Sequence, residues 1–279
     1  MVDSRIANLC SAILRTACVL AIGMFCSLTL TGAGNAAEGK TAVPDFSGPW
    51  MRTGNAFDFA APPPGIEPRS LVNISGDDLL PVGNYDSPIL KPWAAAEVKK
   101  HGDTFLAGKL APDAPASCMP MGVPYVLQVR ENVRLLQTRD SIMITYQNDN
   151  QRRLVRLSER HSAHPAPSWF GESIGHYEGD TLVVDTIGIA VHEFSAIDRF
   201  GTPHTEAMHV MERYRVADDR KSLRVDFTVD DPGAFNMPWH ASIIYGKGTD
   251  FPGERPCAEN NREGAAGQVA MPMAVRSDF

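Results

Sequence analysis

Leu223-Arg224-Val225-Asp226-Phe227-Thr228-Val229 alternates apolar and polar residues without a break. Successive side chains of a β-strand point to opposite faces, so Leu223, Val225, Phe227 and Val229 share one face and Arg224, Asp226 and Thr228 the other. One face is buried and one is wet, the habit of antiparallel sheets. Ala217-Asp218-Asp219-Arg220-Lys221, immediately before this strand, reads as a hairpin turn.

The same texture recurs outward from it. Short β-branched and aromatic segments begin at Val133, and the candidate strands are Val133–Thr138, Ser141–Gln147, Arg152–Leu157, Ile174–Tyr177, Thr181–Ile187, Ala207–Val216, Ser222–Val229 and Trp239–Tyr245. Asn148-Asp149-Asn150 and Glu178-Gly179-Asp180 supply further hairpin turns. Consecutive strands joined mainly by short turns are most economically an up-and-down meander, which hides its edges by closing. The expected fold is mainly β: a single antiparallel barrel of roughly eight or more strands, the size that can hold one small ligand. A two-sheet sandwich is the competing architecture. No internal repeat, heptad pattern or low-complexity tract is visible.

Residues 38–117 are rich in proline and glycine, as in Pro62-Pro63-Pro64-Gly65 and Ala111-Pro112-Asp113-Ala114-Pro115, and read as an irregular arm. Within it Pro92 suits a first helical turn, and Trp93 to Phe105 holds good helix formers, so one short helix is expected against the outside of the body. The barrel domain is expected over residues 118–261 and a tail over 262–279.

Residues 1–37 have the order of a secretory signal. Arg5 and Arg15 lie in a basic leading segment, and Thr16 to Leu30 is uncharged and largely apolar. That run is shorter than the about 20 residues of a membrane-crossing helix. Gly32-Ala33-Gly34-Asn35-Ala36-Ala37 provides the small residues a signal peptidase requires, so cleavage is expected after Ala36 or Ala37, with a periplasmic or secreted product and no stable membrane anchor. An uncleaved anchor is the alternative. Met24 and Phe25 ahead of Cys26 argue against lipidation.

The leader contains two arginines and one aspartate, so removing it takes the formal charge from −7 to −8. A protein that acidic lacks the electrostatic footprint of a nucleic-acid partner. Cys10, Cys18 and Cys26 leave with the leader, and Cys118 and Cys257 persist. Two cysteines in an oxidising compartment suggest one disulfide; the alternative, a reactive thiolate, needs a neighbour that lowers its pKa.

Six of the eight histidines fall between Arg160 and Glu212. His164, His176, His204 and His209 are candidate bases, since imidazole exchanges protons near neutral pH. Short histidine spacing also suits zinc, but no HExxH helix or cysteine cluster is present, and hydrogen-bonded structural histidines are the plainer reading. Along Ala207–Val216, Glu212 shares a side with Met208, Val210, Tyr214 and Val216, while His209, Met211, Arg213 and Arg215 share the other. Glu212 among apolar neighbours is therefore either at a pocket or paired internally. Arg213 is a candidate clamp for a substrate carboxylate, or a surface cation. Asp185 stands in the apolar run Leu182-Val183-Val184, where a buried carboxylate is either paired or protonated. Tyr146 and Trp239 are candidate pocket walls, or aromatic core. No GxSxG elbow, P-loop, dinucleotide fingerprint or kinase signature occurs, so the inventory supports chemistry without a cofactor.

Several segments together resemble a large, mostly uncharacterised family of secreted bacterial proteins. They are Asp45-Phe46-Ser47-Gly48-Pro49-Trp50, Cys118-Met119-Pro120-Met121-Gly122-Val123-Pro124, Tyr146 with Asp149-Asn150-Gln151-Arg152-Arg153, and His164-Pro165. Gly175-His176-Tyr177-Glu178-Gly179-Asp180-Thr181-Leu182-Val183-Val184-Asp185-Thr186 is the longest. Gly201-Thr202-Pro203-His204-Thr205-Glu206, His209-Val210-Met211-Glu212-Arg213-Tyr214, Asp230-Asp231-Pro232, Pro238-Trp239 and Cys257-Ala258-Glu259-Asn260-Asn261 complete the set. The resemblance implies a lipocalin-type barrel, with members that act on phenylpropanoid-derived aromatic acids without a cofactor. Tyr177 stands where the family usually has tryptophan. Glu159-Arg160-His161-Ser162-Ala163 stands where the family commonly has an Asp-Gly-Arg turn.

The leading expectation is a cofactor-independent lyase or isomerase for a small hydrophobic or aromatic molecule held in a barrel mouth. One of the four histidines would move the proton, Asp185 or Glu212 would orient it, and Arg213 would hold an acidic group. A non-catalytic carrier of an apolar ligand and a metal-dependent hydrolase are the competing readings.

Overall fold

A computed structural model describes residues 43–54, 82–109, 111, 114–158 and 160–257. The leader at 1–37, the Pro62–Gly65 stretch and the tail at 262–279 lie outside the described residues.

Nine strands close into a barrel in sequence order: β1 (Gly48–Arg52), β2 (Val133–Gln137), β3 (Ser141–Tyr146), β4 (Arg152–Leu157), β5 (Glu172–Glu178), β6 (Thr181–Ile187), β7 (His209–Val216), β8 (Ser222–Asp230) and β9 (Trp239–Lys247). Strands β2 to β9 fall on the eight segments read from the sequence. Strand β1 comes from the proline- and glycine-rich arm, so the barrel does not begin at residue 118. It is the closing piece: Trp50 pairs with Val133 on one side and Lys247 on the other. The Trp50 indole is buried and donates to the Phe46 carbonyl at 2.8 Å.

The wholly antiparallel meander needs one correction. Strands β4 and β5 run parallel, in the register Val155↔Ser173 and Leu157↔Gly175. Residues 158–171 therefore carry the chain back along the barrel instead of turning it tightly.

Strand parity fills the interior. Trp50, Leu135, Ile142, Ile144, Tyr146, Leu182, Val184, Phe227, Ile243 and Tyr245 are each no more than 2% exposed and belong to one core. Helix α1 (Pro92–Leu106) starts at the proline, as its sequence implies, and buries Ala94, Val98, His101 and Gly102 along one stripe. It is tied down at its start, where Lys91 N donates to the Ala234 carbonyl at 2.9 Å and Leu90 bridges Phe235. A second, single-turn helix, α2 (Tyr125–Gln128), is buried throughout.

Cys118 and Cys257 form a disulfide, with Cα atoms 5.5 Å apart and 139 residues of sequence separation. Closing so long a loop removes unfolded-state entropy equivalent to roughly 4–5 kcal/mol in the chain-entropy model. Cys118→Ser/Cys257→Ser should lower unfolding free energy by about 2–5 kcal/mol while leaving the β-type circular dichroism intact, as denaturant titration will measure.

Candidate functional site

Parity separates the acid–base residues into three places. Inside the barrel, β4 turns Arg153 and Val155 inward, and β7 does the same with Val210, Glu212 and Tyr214. Arg153 and Glu212 are 2% and 0% exposed and meet in a two-pronged ion pair, Nη1 to Oε1 at 3.0 Å and Nη2 to Oε2. Arg153 also donates to Ser173 Oγ at 2.9 Å and Thr186 Oγ1 at 2.6 Å, and the Tyr214 hydroxyl donates to Glu212 Oε1 at 2.7 Å. Glu212 is thus the internally paired carboxylate and is closed off from solvent. Tyr146 is core too, its ring stacked on Phe170 with centroids 5.6 Å apart. Burial pushes its hydroxyl up to about 12, against the opposing pull of Arg153. Trp239 packs edge-on against Phe227 and Phe235. Both rings are buried in the core, 0% and 2% exposed.

On the outer wall, Asp185 is not the buried carboxylate its apolar run suggested. Val184 and Thr186 take the interior positions of β6, which turns Asp185 outward. There it accepts from His209 Nε2 at 2.6 Å, and His161 Nε2 lies 3.3 Å away. His161 Nδ1 is 3.0 Å from Glu172, whose carboxyl is held down at about 2, first by the Ser162 hydroxyl. Asp185 therefore does orient an imidazole, but on a convex wall. Arg213 pairs with Glu178 at 2.6 Å, and His176 lies 3.2 Å from the same carboxylate. Arg213 also lines a second cleft, of about 280 Å³, with Met211, Arg215, Asp226 and His240. His164 is exposed in the 158–171 connection.

The third place is a cleft of about 550 Å³ between α1 and residues 191–204, walled by Trp93, His101, Val191, His192, Phe194 and His204 among others. Gly201 makes it: with φ +70°, a Cβ here would fall 2.4 Å from the His101 ring. The segment around it is braced by buried Asp198, which accepts from Phe200 N at 2.9 Å and Thr202 Oγ1 at 2.7 Å. Burial pushes the Asp198 carboxyl up to about 6, opposed by those Thr202 and Phe200 bonds. His192 packs at a tilt against Trp169, with centroids 4.6 Å apart.

His204 is 5% exposed, and burial lowers its pKa below the usual 6.5. Its Nδ1 lies 3.2 Å from the Thr205 carbonyl. A carbonyl only accepts, so Nδ1 carries the proton and Nε2 keeps its lone pair, without a protein hydrogen bond among the described residues.

Of the residues singled out from sequence, the structure brings together His209 with Asp185, and Arg213 with His176 through Glu178. It holds His204 apart from both. Sequence reasoning passed over Arg153, although its place two residues before Val155 marks it as inward and as the counterion of Glu212. It also passed over His101, which is far from His204 in sequence and reaches it only through α1, and it counted His192 among the clustered histidines without making it a candidate base. Among the described residues no three His, Cys, Asp or Glu side chains are grouped to hold a metal ion, and no helix is long and apolar enough to cross a membrane. No family model and no curated protein matches this chain.

Two outcomes follow from the interior. Glu212→Ala or Arg153→Ala strands a buried charge and should cost about 3–5 kcal/mol in urea unfolding, whereas replacing both by well-packed apolar residues should cost far less. Tyr146 titrates higher folded than unfolded, so its contribution is whole below pH 10.0 and fades as pH rises through about 12. Stability measured across that window should fall less steeply in Tyr146→Phe.

Proposed function

We propose that this protein is an exported, cofactor-independent lyase or isomerase that moves a proton on a small aromatic or otherwise hydrophobic molecule. The cleft under α1 is its site and His204 its base. The observation that carries this reading is the meeting of His101, His192 and His204 on a 550 Å³ cleft with Trp93 and Phe194 in its walls. Its volume lies in the ~300–1,000 Å³ range of small-ligand sites, and Glu97, Lys100 and Glu193 stand among the aromatic and aliphatic walls. Desolvation keeps His204 neutral at neutral pH, and the Thr205 carbonyl selects the tautomer whose Nε2 accepts a proton. The leader-like first 37 residues and the disulfide support export. The family resemblance supports an aromatic acid as substrate.

A carrier for an apolar ligand would use the same walls without proton transfer. His204→Gln keeps the size of the side chain and removes the base. Turnover of phenylpropanoid-type aromatic acids should fall ~10²–10⁴-fold with the fold retained. The acid limb of the wild-type kcat/KM profile should have its midpoint below 6.5, because His204 must be neutral. If the wild-type protein binds these acids and returns them unchanged, with affinity unaltered in His204→Gln, the carrier reading replaces the enzyme.

A further inference from the structure

The outer wall of β2–β4 carries a feature that neither the core nor the cleft explains. On these strands Val133, Leu135, Ile142, Ile144 and Val155 already fill the interior, yet the outward positions are not all polar. Leu136 pairs across to Met143 and Met143 to Leu154, so the three form one continuous cross-strand row. Leu136 is 59% exposed and Leu154 47%. Single exposed leucines need no explanation, but an apolar row about 10 Å wide, two strand spacings, is a patch.

Arginines flank the row. On one side Arg134 pairs with Thr145 and Thr145 with Arg152; on the other Arg156 pairs with Ser141, and Arg139 stands in the β2–β3 turn. The Arg134 guanidinium lies over the Phe251 ring at 4.7 Å. The carboxylates nearby are Asp140, 3.9 Å from Arg139, and Glu172, 3.0 Å from Arg156. Asp149 stands in the β3–β4 turn and Asp250 beside Phe251, yet among the described residues neither Arg134 nor Arg152, both exposed, is in an ion pair, in contrast to Arg139 and Arg156.

We propose that this wall docks on an anionic phospholipid surface, the barrel lying on its side with β2–β4 against the headgroups. Leu136, Met143 and Leu154 would enter the headgroup–acyl boundary, as the apolar face of an interfacial helix does, while Arg134, Arg139, Arg152 and Arg156 take phosphates. Guanidinium forks match phosphate oxygens, and apolar contact with lipid adds to electrostatic attraction. The charge remaining elsewhere is screened beyond about 8 Å at physiological salt, so the nearest face decides the encounter. Aliphatic side chains on a convex wall suit a deformable surface. Helix α1 and residues 191–204 contribute no residue to this wall.

The test is partitioning of the full chain onto vesicles of equal parts phosphatidylglycerol and phosphatidylcholine, against pure phosphatidylcholine. Variants are measured side by side, so that any contribution of residues 1–37 is common to all. The wild-type chain should bind the mixed vesicles and release them as salt rises. Leu136→Gln/Leu154→Gln and Arg134→Gln/Arg152→Gln should each lower the partition coefficient at least tenfold, with thermal unfolding unchanged. Absence of selective binding to the anionic vesicles overturns the proposal, and so does binding that both double variants leave intact. Concentration-dependent dimers in sedimentation velocity that the same substitutions abolish, without vesicle binding, assign the wall to a second copy instead.

Discussion

In a closed ring of nine strands, direction cannot alternate all the way round; somewhere two neighbours must run the same way. This chain takes that step between β4 and β5. Much else hangs on it, because the returning connection at 158–171 has to cross the barrel and be held there. His161 and Ser162 are fastened to Glu172 on the outer wall, Phe170 stacks on Tyr146, and Trp169 reaches His192 at the cleft. One odd strand thus sets the surroundings of the outer-wall histidines and of the cleft together.

The buried polar group stands at the same junction. Arg153 comes from β4, Ser173 from β5, Thr186 from β6, and Glu212 with Tyr214 from β7, so its hydrogen bonds span the four strands around the parallel pair. Against a hydrophobic substitute an ion pair of this kind adds little net stability. Its effect is on register. A slip of one residue would turn Arg153 to solvent and leave Glu212 buried alone, an outcome far costlier than a displaced leucine.

Much of this fold is legible in the sequence because period-two alternation is a local property. Leu223 to Val229 announces its strand and its inward face; the run Thr181 to Ile187 announces its strand but not its inward face, because Val183 is buried along with Leu182 and Val184. Strand β1 is hidden because Gly48 and Pro49 carry the signature of irregular chain, and only pairing on both sides makes Gly48–Arg52 a strand. The parallel pair is hidden because nothing local distinguishes a connection that returns from one that turns back. For the site, parity separates Glu212 from His209 and Arg213, and the structure keeps that separation. The cleft is illegible for a different reason. His101, His192 and His204 belong to a helix and an irregular segment with no periodicity in common, and Gly201 matters only because the His101 ring sits where its side chain would be.

The disulfide divides the strands into two kinds. Everything from Cys118 to Cys257, and hence β2 through β9, lies within one covalent circle, and β1 lies outside it. A single cut anywhere in the loops of that circle leaves both fragments attached and the eight strands tethered. A single cut between Arg52 and Cys118 frees β1 from every covalent tie to the rest. The strand that closes the barrel is therefore also its one detachable part, and opening the ring requires no strand within the circle to leave its neighbours.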